Sequence, residues 1–158
     1  MEYAIFDLDH TLADSSGRDH LLKAGRLDCH GLISSMTKQD WEAYHANCHI
    51  DPVKREVLRM YNGVRATRMR TIICTARPIT FERQTIAWLK QHDIRYDQLL
   101  MRPKGDARPS AYLKVNLIAD ILGVNWYRRV GLVVDDHPDV IEAFSKFGVT
   151  CLLCKHNN

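Results

Sequence analysis

The sequence predicts an α/β chain: a doubly wound, three-layer parallel sheet with a small insertion after the first strand. Two observations carry that expectation. Five short apolar runs, at residues 3–6, 69–74, 96–101, 129–134 and 149–153, alternate with stretches whose apolar residues recur at helical spacing. Several of those runs end in acidic, hydroxyl or cationic residues, as suits a parallel sheet whose strands all finish on one edge. The 158 residues are enough to close one hydrophobic core without disulfides or a structural metal, so residues 1–158 are expected to form a single domain.

The first run, Tyr3-Ala4-Ile5-Phe6, suits a buried strand and leads straight into Asp7-Leu8-Asp9-His10-Thr11-Leu12. Asp7 and Asp9 are two apart, so both carboxylates can face one side of the loop. By itself such a pair also suits an Asx-rich turn. As chemistry, it offers oxygen ligands for a divalent cation, or a nucleophile beside an acid/base. Residues 13–50 hold no clear strand and are expected to form a cap-like insertion over the end of the first strand. Within it, Leu21 and Leu22 suit a short helix, and Thr37-Lys38-Gln39-Asp40 suits the start of another carrying Trp41 and Tyr44. Asp51-Pro52 reads as the N-cap and first residue of a helix whose apolar face is Val53, Val57, Leu58 and Tyr61, with Asn62-Gly63 ending it.

The second run, Met69 to Cys74, ends in Thr75-Ala76-Arg77-Pro78. A hydroxyl and a guanidinium at a strand end are phosphate-binding groups by chemistry. Thr80 to His92 reads as a helix with Phe81, Ile86, Trp88 and Leu89 inward, and Tyr96 to Met101 as the third strand. After the charged turn 102–109, Ser110 is expected to cap a helix over Ala111–Leu122. Leu113, Leu117, Ile118 and Ile121 form its buried set, and Lys114 lies in its first turn, off the apolar face. The fourth strand, Arg129 to Val134, ends in Asp135-Asp136. A helix over Asp139–Phe147 then turns Val140, Ile141, Phe144 and Phe147 inward, and Val149 to Leu153 is the last strand.

Composition sets limits. At 46% hydrophobic and 26% charged, the chain is neither disordered nor fibrous. Its net charge of +3 permits phosphate-bearing partners without requiring nucleic acid. The five cysteines, Cys29, Cys48, Cys74, Cys151 and Cys154, are an odd number and look like cytosolic thiols. Cys151-x-x-Cys154 with His156, and His45-x-x-Cys48-His49, have metal-like spacings, but strand and helix readings account for both. The start has no basic n-region and no apolar run approaches 18 residues, so neither secretion nor membrane spanning is expected, and a cytoplasmic location is. The cations among residues 65–70 precede a strand, away from the chemistry, and read as a solvated face. There is no G-x-x-x-x-G-K-[ST] loop and no G-x-G-x-x-G after a strand, which disfavours P-loop kinases and nicotinamide enzymes.

Asp7/Asp9, Thr75/Arg77, Lys114 and Asp135/Asp136 would thus converge on one sheet edge, a mixed site with oxygen ligands for Mg²⁺ and cations for phosphoryl oxygens. In type and order, Asp7-x-Asp9-x-Thr11, Thr75, Lys114 and Asp135-Asp136 resemble the four motifs of the haloacid dehalogenase (HAD) superfamily of phosphohydrolases. The resemblance implies a Rossmann-like core and an aspartyl-phosphate mechanism dependent on Mg²⁺. It makes Asp7 the nucleophile. Asp9 becomes the acid/base, protonated at first, donating to the leaving alcohol and then activating water, and its main-chain carbonyl also meets the metal. Thr75 would hold the phosphoryl group, Lys114 would balance charge, and Asp135 and Asp136 would complete a metal site with Asp7 and Asp9.

Longer stretches resemble the 3′-phosphatase domain of phage T4-type polynucleotide kinase/phosphatase. They are Asp9-His10-Thr11-Leu12-Ala13 with Gly17-Arg18, Thr75-Ala76-Arg77, Met101-Arg102 with Gly105-Asp106-x-Arg108, and Val133-Val134-Asp135-Asp136 with Val140-Ile141-Glu142. This implies that Arg18 and Arg77 belong to the active site, and it adds Arg108 as a substrate contact. Asp106 could equally pair with Arg102 or Arg108. His10 stands where HAD phosphatases have Gly, and Ser110 where the T4-type family has Asp, one helical turn before the lysine. No kinase segment is recognisable. The expected function is removal of a 3′-phosphate from nucleic-acid ends. Alternatives are a phosphatase of free nucleotides or other small phosphate esters, a phosphotransferase, and a non-enzymatic binding protein on the same fold. A nucleic-acid end or nucleotide is the expected partner, with no membrane and no obligate protein partner. Trp41 and Tyr44 are the candidates for nucleobase stacking, though both also suit the core of the insertion.

Overall fold

The computed structural model describes residues 2–23 and 37–155; residues 24–36 of the expected insertion, with Cys29, and His156 lie outside the described residues. Five strands, β1 (Tyr3–Phe6), β2 (Arg70–Pro78), β3 (Gln98–Arg102), β4 (Val130–Asp135) and β5 (Cys151–Leu153), form a sheet in the order β3-β2-β1-β4-β5. All four pairings are parallel, so the doubly wound α/β class holds. β1 is central, and because side chains alternate along a strand it feeds both cores. Tyr3 and Ile5 join Ile72, Cys74, Val133, Ile118, Leu122, Val140 and Phe144 under α5 (Ser110–Leu122) and α6 (Pro138–Ser145). Ala4 and Phe6 join Ile73, Val134, Tyr61, Trp88 and Leu89 under α3 (Arg55–Ala66) and α4 (Glu82–Gln91).

The strand order reverses between β1 and β4, which makes their C-terminal ends the switch point where such sheets bind ligands. Register aligns those ends. Phe6 is level with Val134 and with Ile73, so Asp7, Asp135 and the Cys74-Thr75 step stand at one height. Between β1 and β2 the described chain makes α1 (His20–Lys23) and α2 (Lys38–Ala46). Thr37 opens α2 with a capping box: its hydroxyl accepts from the Asp40 amide, and the Asp40 carboxylate accepts from the Thr37 amide. Among the described residues, no helix is long and apolar enough to cross a membrane.

The structure corrects several local expectations. α3 begins at Arg55, not at Asp51-Pro52, and Asp51 is buried instead of capping it. Gly63 does not end that helix, which continues to Ala66, because its face packs on the core through Tyr61 and Val64. β2 runs on to Pro78, carrying Thr75 and Arg77 within the strand. Ser110 is the first residue of α5 and makes no side-chain cap. Lys114 is buried, since the buried face of α5 meets charged groups at its first turn. Ile86, Ile121 and Phe147 stay largely exposed, Phe147 lying against the Trp126 ring.

Candidate active site

At the switch point the Lys114 ammonium donates to Asp7 Oδ1 and to Asp135 Oδ2, both at 2.7 Å. All three residues are buried. The other oxygen of Asp7 accepts from the Thr11 hydroxyl at 3.1 Å, and Asp135 Oδ1 accepts from the His137 amide at 3.0 Å. The Asp7 carboxylate is therefore fixed by the loop that follows it, through Thr11, and by a helix 107 residues away in sequence, through Lys114. Burial raises its pKa well above the ordinary carboxyl range; Lys114 opposes this, while Asp135, Asp136 and Asp9 add to it. Lys114 stays protonated because the pull of Asp7 and Asp135 exceeds the effect of its own burial.

Carboxylate oxygens of Asp7, Asp135 and Asp136 all lie within 4.8 Å of one another. Hard oxygen donors at that spacing suit Mg²⁺, and a cation among them would relieve the repulsion that adds to burial in raising Asp7. The residues present therefore fit the metal. The Asp9 side chain is not in this group; it turns to the arginines, which leaves its main-chain carbonyl for the expected metal contact.

Asp9 is the centre of a second cluster. Arg77, fully buried, donates Nε to Asp9 Oδ2 at 2.8 Å and Nη2 to Oδ1 at 2.7 Å. Arg18 Nη2 donates to the same Oδ1 at 2.6 Å, and the Ser15 hydroxyl at 2.9 Å. Burial would raise the Asp9 carboxyl, but the charge and hydrogen bonds of Arg77, with the charge of Arg18, hold it far below the ordinary range. The expectation of an initially protonated Asp9 is thus corrected: two guanidinia keep it ionised. Asp51 completes the cluster. It accepts from Arg18 Nε at 2.7 Å and from Ser15 at 3.2 Å, while its main-chain carbonyl accepts from the Trp88 indole at 2.8 Å. Two cations face two carboxylates, so the buried charge balances.

Members of both clusters line a cleft of about 670 Å³, among them Asp7, Asp9, Arg77, Lys114, Asp135 and Asp136, with Thr75 beside them. The structure therefore brings together every motif residue that the sequence singled out. The Thr75 oxygen accepts from the Arg77 amide at 3.2 Å, which leaves its hydroxyl proton to donate. Arg18 and Arg77, expected on the substrate, have their donors on Asp9, Asp51, Thr85 and the Tyr44 carbonyl. Arg108 stands on the rim and is paired with Asp106 through Nε at 2.8 Å. That ion pair lowers the Asp106 carboxyl to about 2.

Two contributors carry no site signal in the sequence: Ser15 is a small hydroxyl in a polar loop, and Asp51 before a proline looks like a cap. Thr11 and Arg102 stand within the motif stretches, but what they bond to is not legible there. Arg102 pins the turn behind it by donating to the carbonyls of Ala76, Asp106 and Arg108. The Asp106–Arg108 spacing signals that turn but not its clamp. His10 adopts φ 59°, the left-handed region that favours glycine, which explains the glycine expected there. Lys54 secures the turn by donating to the His10 carbonyl at 2.6 Å. Ser110 takes only a long contact from Arg102, yet Lys114 is oriented firmly by its two carboxylates.

Comparison with curated protein sequences gives no match. Over its full length the chain is similar in structure to a chain of the Pnkp1/Rnl/Hen1 RNA repair complex, with a TM-score of 0.75 and 19% identity. It spans 44% of the length of that chain. It also resembles a predicted phosphatase from Clostridium acetobutylicum, with a TM-score of 0.69, 13% identity, and 95% of this chain matched to 82% of that one. A haloacid dehalogenase-like protein from Streptococcus pneumoniae gives 0.65 and 16%, covering 97% and 84%. At these identities the likeness shows the fold alone. The family model described as "Polynucleotide kinase PNKP phosphatase domain" matches residues 23–158, beginning after the Asp7/Asp9 motif. That match spans most of the sequence, and the fold and the gathered motif residues agree with it: the chain belongs to the polynucleotide kinase PNKP phosphatase domain family, within the HAD phosphohydrolases, and is a phosphatase.

Proposed function

We propose that the chain hydrolyses the 3′-phosphate of nucleic-acid ends through an aspartyl-phosphate on Asp7. The observation that carries this reading is the buried Asp7–Lys114–Asp135 triad at the base of a cleft that continues between α2 and the 103–109 turn. Asp7 attacks phosphorus in line, its second oxygen steadied by Thr11. Lys114 and the Thr75 hydroxyl stabilise the negative oxygens of the transferring group. Mg²⁺, held by Asp7, Asp135, Asp136 and the Asp9 main chain, would neutralise charge on those oxygens when bound. Ionised Asp9 accepts the proton of the water that cleaves the acyl-phosphate. Its acid role, protonating the leaving alkoxide, requires proton uptake against Arg18 and Arg77.

Arg108 on the rim is assigned to the substrate backbone, and the described part of the insertion, residues 13–23 and 37–50, to one side of the entrance to the site. This chain is assigned to the cytoplasm, where its thiols stay reduced. The alternative of free nucleotides uses the same chemistry. Steady-state kcat/KM for 3′-phosphorylated and 5′-phosphorylated oligonucleotides, nucleoside monophosphates and sugar phosphates, each with Mg²⁺ and with chelator, tests it. We expect the 3′-phosphorylated oligonucleotide to lead and chelator to stop turnover. A hundredfold preference for monophosphates would overturn the 3′-end reading, and full activity in chelator would overturn the metal.

A further inference from the structure

We propose that Trp41, stacked on His45, forms a subsite for the terminal nucleobase of the substrate; this rests on the 3′-end reading above and adds to it what the cleft does beyond the phosphate. A cleft of about 670 Å³ lies in the range that holds whole small-molecule ligands, far more than a phosphoryl group occupies. The part of the substrate beyond the phosphorus must fill the rest. Trp41 stands in the wall and is 40% exposed, whereas Tyr44 on the same helix is only 3% exposed. The two aromatic candidates therefore divide. Tyr44 also borders the cleft, but its ring is packed into the insertion with Arg18 over it at 4.0 Å. Trp41 presents indole surface to the cleft.

That surface is held in place before any ligand arrives. The Trp41 ring lies nearly parallel to His45, at 20° and 5.8 Å between centroids, and meets Tyr44 edge-on at 5.9 Å. His45 rests in turn on Phe81 at 5.6 Å, so the stack is backed by the residue leading into α4. Burial, with Arg77, Arg18 and Arg102 adding to it against the pull of Asp9, lowers His45 to about 4 and keeps the ring neutral. Its Nδ1 is buried with no hydrogen-bond partner among the described residues. The ring thus supplies a face, not a structural hydrogen bond. Arg18 ties this platform to the chemistry, since it donates to the Tyr44 carbonyl at 2.6 Å and to Asp9 at 2.6 Å. Base and phosphoryl group would then sit at a set separation. A bare aromatic face accepts every base, so the subsite recognises an unpaired terminal base without reading its identity.

The test uses two 3′-phosphorylated single strands that differ only in the last nucleotide, one carrying adenine and one abasic. In wild type we expect kcat/KM to be about tenfold or more higher for the adenine strand, the scale of one base–aromatic stack. Trp41→Ala and Trp41→Leu should bring that ratio towards one, and Trp41→Phe should keep most of it. Each ratio is taken on one preparation, so a fraction of unfolded protein cancels. A wild-type ratio near one, or a ratio unchanged in Trp41→Ala and Trp41→Leu, would overturn the subsite and leave the 3′-end reading intact. If neither strand is hydrolysed while adenosine 5′-monophosphate is, the 3′-end reading falls. The same ratio, taken for adenosine 5′-monophosphate against ribose 5-phosphate, then decides the subsite: dependence on Trp41 supports it and independence overturns it.

Discussion

Asp51 touches no reacting atom in this account, yet Arg18 depends on it for its counter-charge. Replacing it with Asn leaves two buried guanidinia facing one carboxylate, and breaking such a buried pair typically costs ~3 kcal/mol or more. We expect Asp51→Asn to lower stability by about that amount in urea titrations and to lower kcat/KM at least about tenfold, through a displaced Arg18 and Asp9. Unchanged stability and activity would show that Asp51 positions nothing. Asp7 and Asp51 contrast in how far a sequence reveals them. Asp7 was legible because its chemistry is local: it follows a strand and has a second carboxylate two residues on. The role of Asp51 exists through Arg18 and Ser15, 33 and 36 positions away, and an aspartate before a proline looks like a cap whatever it contacts. The same holds for the arginines. Their place at the site was legible, but their bonding to Asp9 was not, since a guanidinium serves a carboxylate or a phosphate equally well.

α2 is docked through His45, and its attachment should respond to acid. The folded His45 value, about 4, lies below the ordinary 6.5, so the unfolded chain binds more protons between those values. Stability from this group is complete above about pH 6.5 and is lost as pH falls towards 4. Urea unfolding at pH 6.5 and pH 5 should show wild type losing about 1.5 kcal/mol more than His45→Phe, which keeps a ring but cannot titrate. Equal losses in the two proteins would contradict the buried neutral histidine. Helix existence was well marked in the sequence, and helix ends less so. Thr37 and Asp40 signalled the start of α2 correctly because a capping box is a bond between near neighbours. Gly63 failed as a stop signal because packing through Tyr61 and Val64 outweighs the cost of one helical glycine, ~1 kcal/mol. Lys114 was placed in the correct turn but on the wrong side of burial. Its partners Asp7 and Asp135 come from two other strands, and spacing within α5 does not encode them.

At the scale of the molecule, the strand order makes a site from residues more than a hundred positions apart, because the sheet reverses between β1 and β4. Lys114 offsets only part of the repulsion among the gathered carboxylates, and a divalent cation would offset more. Asp135→Asn should therefore weaken activation by Mg²⁺ and lose most of the rise in melting temperature that added Mg²⁺ gives wild type. A variant whose melting temperature rises with Mg²⁺ as much as wild type would contradict the metal assignment. The most direct test of the central claim follows the phosphoryl group itself. Protein is mixed for milliseconds with an oligonucleotide carrying a ³²P-labelled 3′-phosphate, quenched in acid, digested and mapped. The account predicts label on the peptide containing Asp7, and none there in Asp7→Asn, which also fails to release phosphate. Release of labelled phosphate by Asp7→Asn at the wild-type rate, or label on a peptide lacking Asp7, would contradict it.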